Sequence, residues 1–284
     1  MKYWLTIKDK LNGGYTIALQ LLLFNASFYV LTLIDEHRFW KIPILFAGLF
    51  VWFFFRHKIK HPTTWILLAF ILFLELLSFY FLVANHHFML LCLVLSVIFF
   101  KYHRREDIFE KNIQLVLCIV IIASVIHKIT SPDFSNGSFY YYSINTGSFF
   151  KEIFYIFPDY LDITKENSEK ITTFNAIDPN LNQKVILKDI IPNLARISLV
   201  FARFTVIVES LVAIAILWKP KSFFTHLLLI IMILGVLITR LETGFMTLLS
   251  ITGLFLCRYN LLKFIYVIIA IGCMTLVITK IGYS

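Results

Sequence analysis

Charge is what this sequence has least of. Only 15% of its 284 residues are Asp, Glu, Lys or Arg, against about 25% in soluble domains. With 59% hydrophobic residues, that scarcity excludes an ordinary soluble helical protein, whose surface needs far more polar side chains. Glycine and proline are also rare, at 10 and 7 copies, and few of them interrupt apolar stretches. Together with the absence of an internal repeat, this argues against a small-solute transporter built on broken helices. The four cysteines, Cys92, Cys118, Cys257 and Cys273, all lie inside apolar segments and form no CxxC or Cys/His cluster. A disulfide-stapled outer domain is thereby excluded, and neither a zinc site nor a redox dithiol is expected. The basic start MKYWLTIKDKLNGGY has no small-residue cleavage site after the first apolar stretch. That stretch is expected to remain as a helix.

What is abundant is apolar sequence in runs of about 17 to 25 residues, the length that crosses a bilayer. The expected fold is an all-α polytopic membrane bundle of about nine spans, roughly 15–34, 39–55, 64–84, 88–100, 112–129, 194–218, 223–239, 244–257 and 261–278. The segments 39–55, 88–100 and 244–257 are the shortest of these, and tilted, re-entrant or buried helices would serve as well there. Between the fifth and sixth spans lies an insertion at 131–193, and connections that long usually carry structure or function of their own. Within it, Phe149, Phe150, Phe154, Tyr155 and Phe157 can cover one side of a short amphipathic helix that also carries Lys151 and Glu152. Such a helix would lie at headgroup depth, as a lid over a membrane-facing cavity or as a passive anchor.

The net charge of +9 does not point to nucleic acid, because the basic residues alternate between loops. One side collects Lys2/Lys8/Lys10, Arg56/Lys58/Lys60, Lys101/Arg104/Arg105, Lys219/Lys221 and Arg258/Lys263. The short loops opposite hold Arg38, Lys41, Arg240 and Lys280. The positive-inside pattern sets the N-terminus in the cytoplasm, the C-terminus outside and the insertion outward. The bilayer is the expected partner, and a bacterial cytoplasmic membrane the expected location.

An ionisable residue at bilayer depth costs about 2.5–3.5 kcal/mol on insertion scales, so it usually has a partner or a job. Those residues are few. Lys128 ends the fifth span beside His127, Arg196 opens the sixth, and Arg240 and Glu242 end the seventh, all in one outer layer. Glu75, Arg203 and Glu209 count as deeper at about 1.5 Å per residue, and His226 sits at the start of the seventh span. Lys128 reads in two ways. It is either a boundary lysine snorkelling to water, or a desolvated amine near Arg196 or Arg240 that serves as general base. Arg196 and Arg203, seven apart, share a face. Glu209 falls on another face and needs a different partner, with His226 as one candidate. Glu75 and Glu209 also suit a helix-packing hydrogen bond or a protonated carboxyl, and His226 a headgroup contact. Arg240, Glu242, Tyr141 and Phe154 complete the expected outer substrate surface.

Some of these residues carry a resemblance. The stretch Val125-Ile126-His127-Lys128-Ile129, then Pro132-Asp133-Phe134 and Gly137, resembles a segment of the vitamin K-dependent gamma-carboxylase family. Glu209-Ser210-Leu211 through Leu217, with Thr225-His226-Leu227, resembles that family's glutamate-containing helix and the histidine helix after it. The shared unit is the HTTM membrane domain, found also in proteins of sporulation-delaying peptide toxin systems. The likeness covers about the fifth to eighth spans. It implies that Lys128 is the base acting on a quinone, sheltered by the aromatic insertion, in a bundle whose C-terminus faces outward. His127 stands where the family has a second lysine, and no counterpart of the peptide-binding lumenal region is expected after Ser284. Quinone chemistry or another lipid-soluble substrate is therefore expected rather than peptide carboxylation. The competing expectation is a non-catalytic membrane subunit for peptide maturation, export or immunity, or for protein docking through the insertion.

Overall fold

The computed structural model describes residues 14–32, 38–55, 62–78, 80–81, 85–176 and 184–279. The N-terminal basic cluster and the Arg56–Lys60 turn lie outside them. The described chain is helical throughout: α1 (Gly14–Thr32), α2 (Arg38–Phe55), α3 (Thr63–Ser78), α4 (Asn85–His103), α5 (Glu106–Thr130), α6 (Pro132–Ser135), α7 (Ser138–Asn145), α8 (Lys151–Phe154), α9 (Pro158–Asn175), α10 (Leu194–Trp218), α11 (Phe223–Arg240), α12 (Thr243–Leu256) and α13 (Asn260–Ile278). Five of these, α4, α5, α10, α11 and α13, are long and apolar enough to cross a membrane, and four shorter apolar helices accompany them.

The helix ends follow local chemistry. Helix α5 opens on Glu106 and Asp107 and closes on His127 and Lys128, so its charges complement the helix dipole at both ends. Helix α9 starts at Pro158, where the missing N–H is one the helix would leave unpaired anyway. Helix α12 is short and enclosed by its neighbours. From Met246 to Leu256 every residue is buried, the pattern of a helix apolar all round.

The chain divides into two compact units. The bundle unit comprises Met1–Val120, Val212–Ile233 and Glu242–Ser284. In it α12 packs against α13, α1 and α4, and α2, α3 and α4 pack in sequence. A Cβ at Gly253 would meet the Tyr266 ring at 2.6 Å, so only glycine lets that buried tyrosine lie against α12.

The insertion unit comprises Ile121–Leu211 and Leu234–Leu241. Its core is Tyr140, Ile144, Phe149, Phe154, Ile190, Leu194 and Ala202, with Phe134, Phe139 and Phe201 packed against it. The turn from α6 to α7 runs through Gly137 at φ +81°, and a Cβ there would stand 2.8 Å from the backbone of Leu199. Two buried amides tie down the segment before α10. Asn167 Nδ2 donates to the carbonyls of Asn145 and Lys188, and its Oδ1 accepts from the Lys188 N–H, each at 2.9 Å. Asn145 Oδ1 accepts from Ile190 N–H.

The aromatic run differs from the single amphipathic helix expected of it. Phe150 adopts φ 58°, which a helix cannot continue through, and its N–H donates instead to the Thr239 carbonyl at 2.9 Å. Helix α8 has four residues. Phe149 and Phe154 point into the core, while Tyr155, Ile156 and Phe157 are exposed. The rings are therefore split between the insertion core and the exposed surface.

Candidate functional site

Helices α5 and α10 each offer a polar pair four residues apart in the insertion unit: Ser124 with Lys128, and Thr205 with Glu209. Residues at that spacing lie one above the other on a helix. The two rows meet. Lys128 forms an ion pair with Glu209, with the two side chains only 12% and 8% exposed. Ser124 lies within hydrogen-bond distance of both, accepting from Lys128 Nζ at 3.1 Å and donating to Glu209 Oε2 at 3.2 Å.

A phenol joins from the insertion. The buried Tyr140 packs its ring edge-on against Phe201 at 5.0 Å and against Phe149 at 5.5 Å. Burial pushes its hydroxyl up and the Glu209 charge adds to that, while a hydrogen bond to Thr205 and the Arg240 charge oppose it. Arg240 spreads its guanidinium over the rings of Phe139 and Phe149, 5.8 and 5.4 Å from their centroids. Phe134 stacks on Phe139 at 4.2 Å. The arrangement is an acid–base pair with a bridging hydroxyl, followed by a phenol and then a bed of aromatic rings capped by a cation.

The structure thus brings Lys128, Glu209 and, through Tyr140, Arg240 into one neighbourhood. Glu209 finds its partner in Lys128, while His226 belongs to the bundle unit. There His226 Nδ1 meets Tyr266 Oη at 3.1 Å, and Tyr266 also donates to the His226 carbonyl. The contacts around Lys128 are a carboxylate and a hydroxyl, in place of the guanidinium set beside it from sequence. His127 is exposed, with its ring edge against Phe134. Arg196 and Arg203 share the exposed side of α10, away from Glu209. Glu242 sits half-buried at the start of α12 in the bundle unit. Tyr141 donates to Asp189 at 2.5 Å, and Phe154 is part of the insertion core. Ser124, Thr205 and Tyr140 were not among the sequence candidates, although the four-residue spacing on each helix carries the signal for the first two.

Counting residues from the helix start sets Glu209 deeper than Lys128, yet the two touch. The reason lies in α10. Its opening residues, Leu194 and Ala202 among them, are packed into the insertion core, so the helix begins well beyond the end of α5 and its first residue does not mark the level of Lys128. Among the described residues no group of three His, Cys, Asp or Glu side chains could hold a metal ion. No family model, curated protein or solved structure matches the chain.

Proposed function

We propose that the chain is a nine-span protein of a bacterial cytoplasmic membrane, N-terminus inside and C-terminus outside, that handles a lipid-soluble substrate, a quinone in the first instance, at the Lys128–Glu209 pair. Five long and four shorter apolar helices support the span count. So do large side chains left more than half exposed along them, such as Phe46, Phe54, Ile119, Ile214 and Ile231, a surface suited to lipid and costly in water. The uneven spread of lysine and arginine supports the orientation.

The observation that carries the substrate reading is the Lys128–Glu209–Ser124 constellation beside a bed of aromatic rings. A quinol hydroxyl entering there gives its proton to the pair, and the Lys128 ammonium faces the oxyanion left behind. The base is the pair and not the isolated amine. The rings of Phe139, Tyr140 and Phe149 are packed in the insertion core beside the pair, with Arg240 over two of them, so a quinone ring stacks on them only when the insertion opens. The resemblance of residues 125–137 and 209–227 to the carboxylase membrane domain points the same way.

The test is binding. Solvent extraction and mass spectrometry of the purified protein should recover a quinone or related lipid. A short-chain naphthoquinone should quench its intrinsic fluorescence, with affinity about tenfold weaker in Lys128→Met and in Glu209→Gln and unchanged in Arg196→Ala. Protein that carries no such lipid and binds no added quinone removes the reading.

One observation favours the second reading, a docking or peptide-handling subunit. The insertion has its own core yet exposes Tyr142, Tyr155, Ile156, Phe157 and Ile186. In that case serine at Tyr155, Ile156 and Phe157 abolishes capture of a partner, and Lys128→Met does not.

A further inference from the structure

The bundle unit holds a buried ion pair of its own, independent of Lys128. Lys41 of α2 pairs with Glu75 of α3, and their side chains are only 2% and 1% exposed. Both helices are apolar apart from such residues. Beyond the ion pair, neither Glu75 oxygen nor the Lys41 ammonium has a hydrogen-bond partner among the described residues. An ammonium carries three donors and a carboxylate about four acceptor sites, and the described protein groups fill few of them. Burying two ions in this way costs several kcal/mol for each, and a well-packed apolar pair is often as stable.

The surroundings are polar in an ordered way. Glu75 acts electrostatically on Tyr29 of α1 and His87 of α4. His87 Nε2 contacts the Leu72 carbonyl at 2.9 Å and Nδ1 contacts Tyr29 Oη at 3.2 Å. A carbonyl can only accept, so Nε2 carries the hydrogen and Nδ1 receives the Tyr29 hydroxyl proton. His86 stacks edge-on against Tyr29 at 5.5 Å. Among the described residues, the charged and titratable groups acting on Glu75 are thus Lys41 from α2, Tyr29 from α1 and His87 from α4, with His86 beyond Tyr29. One helical turn away from the pair, Leu45 and Ile71 line an apolar crevice with Gly48, Thr64 and Ser27, and the Ser27 hydroxyl is also buried without a partner.

We propose that Lys41 and Glu75 form a proton-exchange site within the bundle. A proton from water binds a Glu75 oxygen and converts the carboxylate to a neutral acid. The Lys41 ammonium, now without its counter-ion, releases a proton to water and becomes a neutral amine. Transfer of the acid proton from Glu75 to Lys41 restores the ion pair. One proton enters and one leaves in each cycle, and no redox partner is needed. The crevice beside Gly48 and Thr64 has no room for water as it stands, so exchange requires α2 and α3 to part there.

Infrared difference spectroscopy of the full chain in nanodiscs, titrated from neutral to acid pH, tests this. The expected result is a carboxylic C=O band, shared with the other acidic side chains, that grows on acidification, loses one component in Glu75→Gln and has that component shifted in Lys41→Met. Where Glu75→Gln fails to fold, the double variant Lys41→Met/Glu75→Leu carries the same readout and should also lack that component. A band identical to that of the unaltered protein in either Glu75 variant, while the protein stays folded, overturns the proposal.

Discussion

Lys128 and Glu209 are joined twice, once directly and once through Ser124, whose hydroxyl lies 3.1 Å from the ammonium and 3.2 Å from the carboxylate. Removing one member leaves the other charged in a dry place, which is what makes breaking a buried pair expensive. Glu209→Leu should cost about 3 kcal/mol, the low end for such losses because Lys128 keeps slight exposure. The double variant Lys128→Met/Glu209→Leu should recover most of it. Thermal unfolding in detergent across the four proteins measures the coupling, and single and double variants of equal stability would mean that the pair is solvated.

Gly137 makes a second contact that tolerates no change. Its φ of +81° suits glycine, and an added Cβ would meet Leu199 Cα and N at 2.8 Å. The left-handed conformation alone costs an L residue about 1–2 kcal/mol, and overpacking adds about 1–3 kcal/mol. The neighbour here is backbone and has little freedom to move aside. Gly137→Ala should therefore lower stability by about 3 kcal/mol and speed amide exchange in α7 and in 194–202, with α12 and α13 unaffected. Equal exchange in α7 before and after the change would show that the turn relaxes.

How much of this was legible in the sequence depends on the kind of interaction. Apolar run length is read directly, and α10 spans Leu194–Trp218, the bounds the hydropathy pattern gives. Lys128 stands out because a charge at the end of an apolar run has few explanations. Its partner does not stand out, because depth counted from a helix start assumes that the start lies at the membrane surface, and Leu194 is instead buried in the insertion. Lys41 was hidden for a related reason. Beside Arg38 it reads as a topology charge, whereas four helices meet around it. The insertion was the least legible part, because single buried amides such as Asn145 and Asn167 leave no periodic trace.

Those amides carry a prediction of their own. Asn167 is fully buried and satisfies two carbonyls and one N–H from Asn145 and Lys188. Leucine in its place keeps the branched outline of the side chain and leaves those three backbone groups without partners, each worth about 1–3 kcal/mol when desolvated. Asn167→Leu should free residues 184–190 from α7 and α9, so that limited proteolysis at Lys184 or Lys188 becomes faster. Cleavage at the original rate would mean that water or a rearranged chain replaces the amide.

The bond from Tyr141 to Asp189 gives the insertion a dependence on alkaline pH. Tyr141 lies outside the apolar helices, and its phenol is held above the usual range, first by burial and then by the bond to the Asp189 carboxylate and by that charge, against a smaller opposing effect of Asn145. A group whose folded value is raised contributes stability that is fully present below its unfolded value, about pH 10 for tyrosine. That contribution is lost as pH rises through the folded value. The 184–190 segment should therefore stay protected through neutral pH and loosen only above about pH 10, when the phenolate and the carboxylate repel each other. Tyr141→Phe removes the hydroxyl, so its segment should be looser at neutral pH and show no further alkaline transition. Fluorescence from a probe at position 186, read from pH 8 to 12 in both proteins, distinguishes the cases, and an identical alkaline transition in Tyr141→Phe would assign it to another tyrosine or lysine.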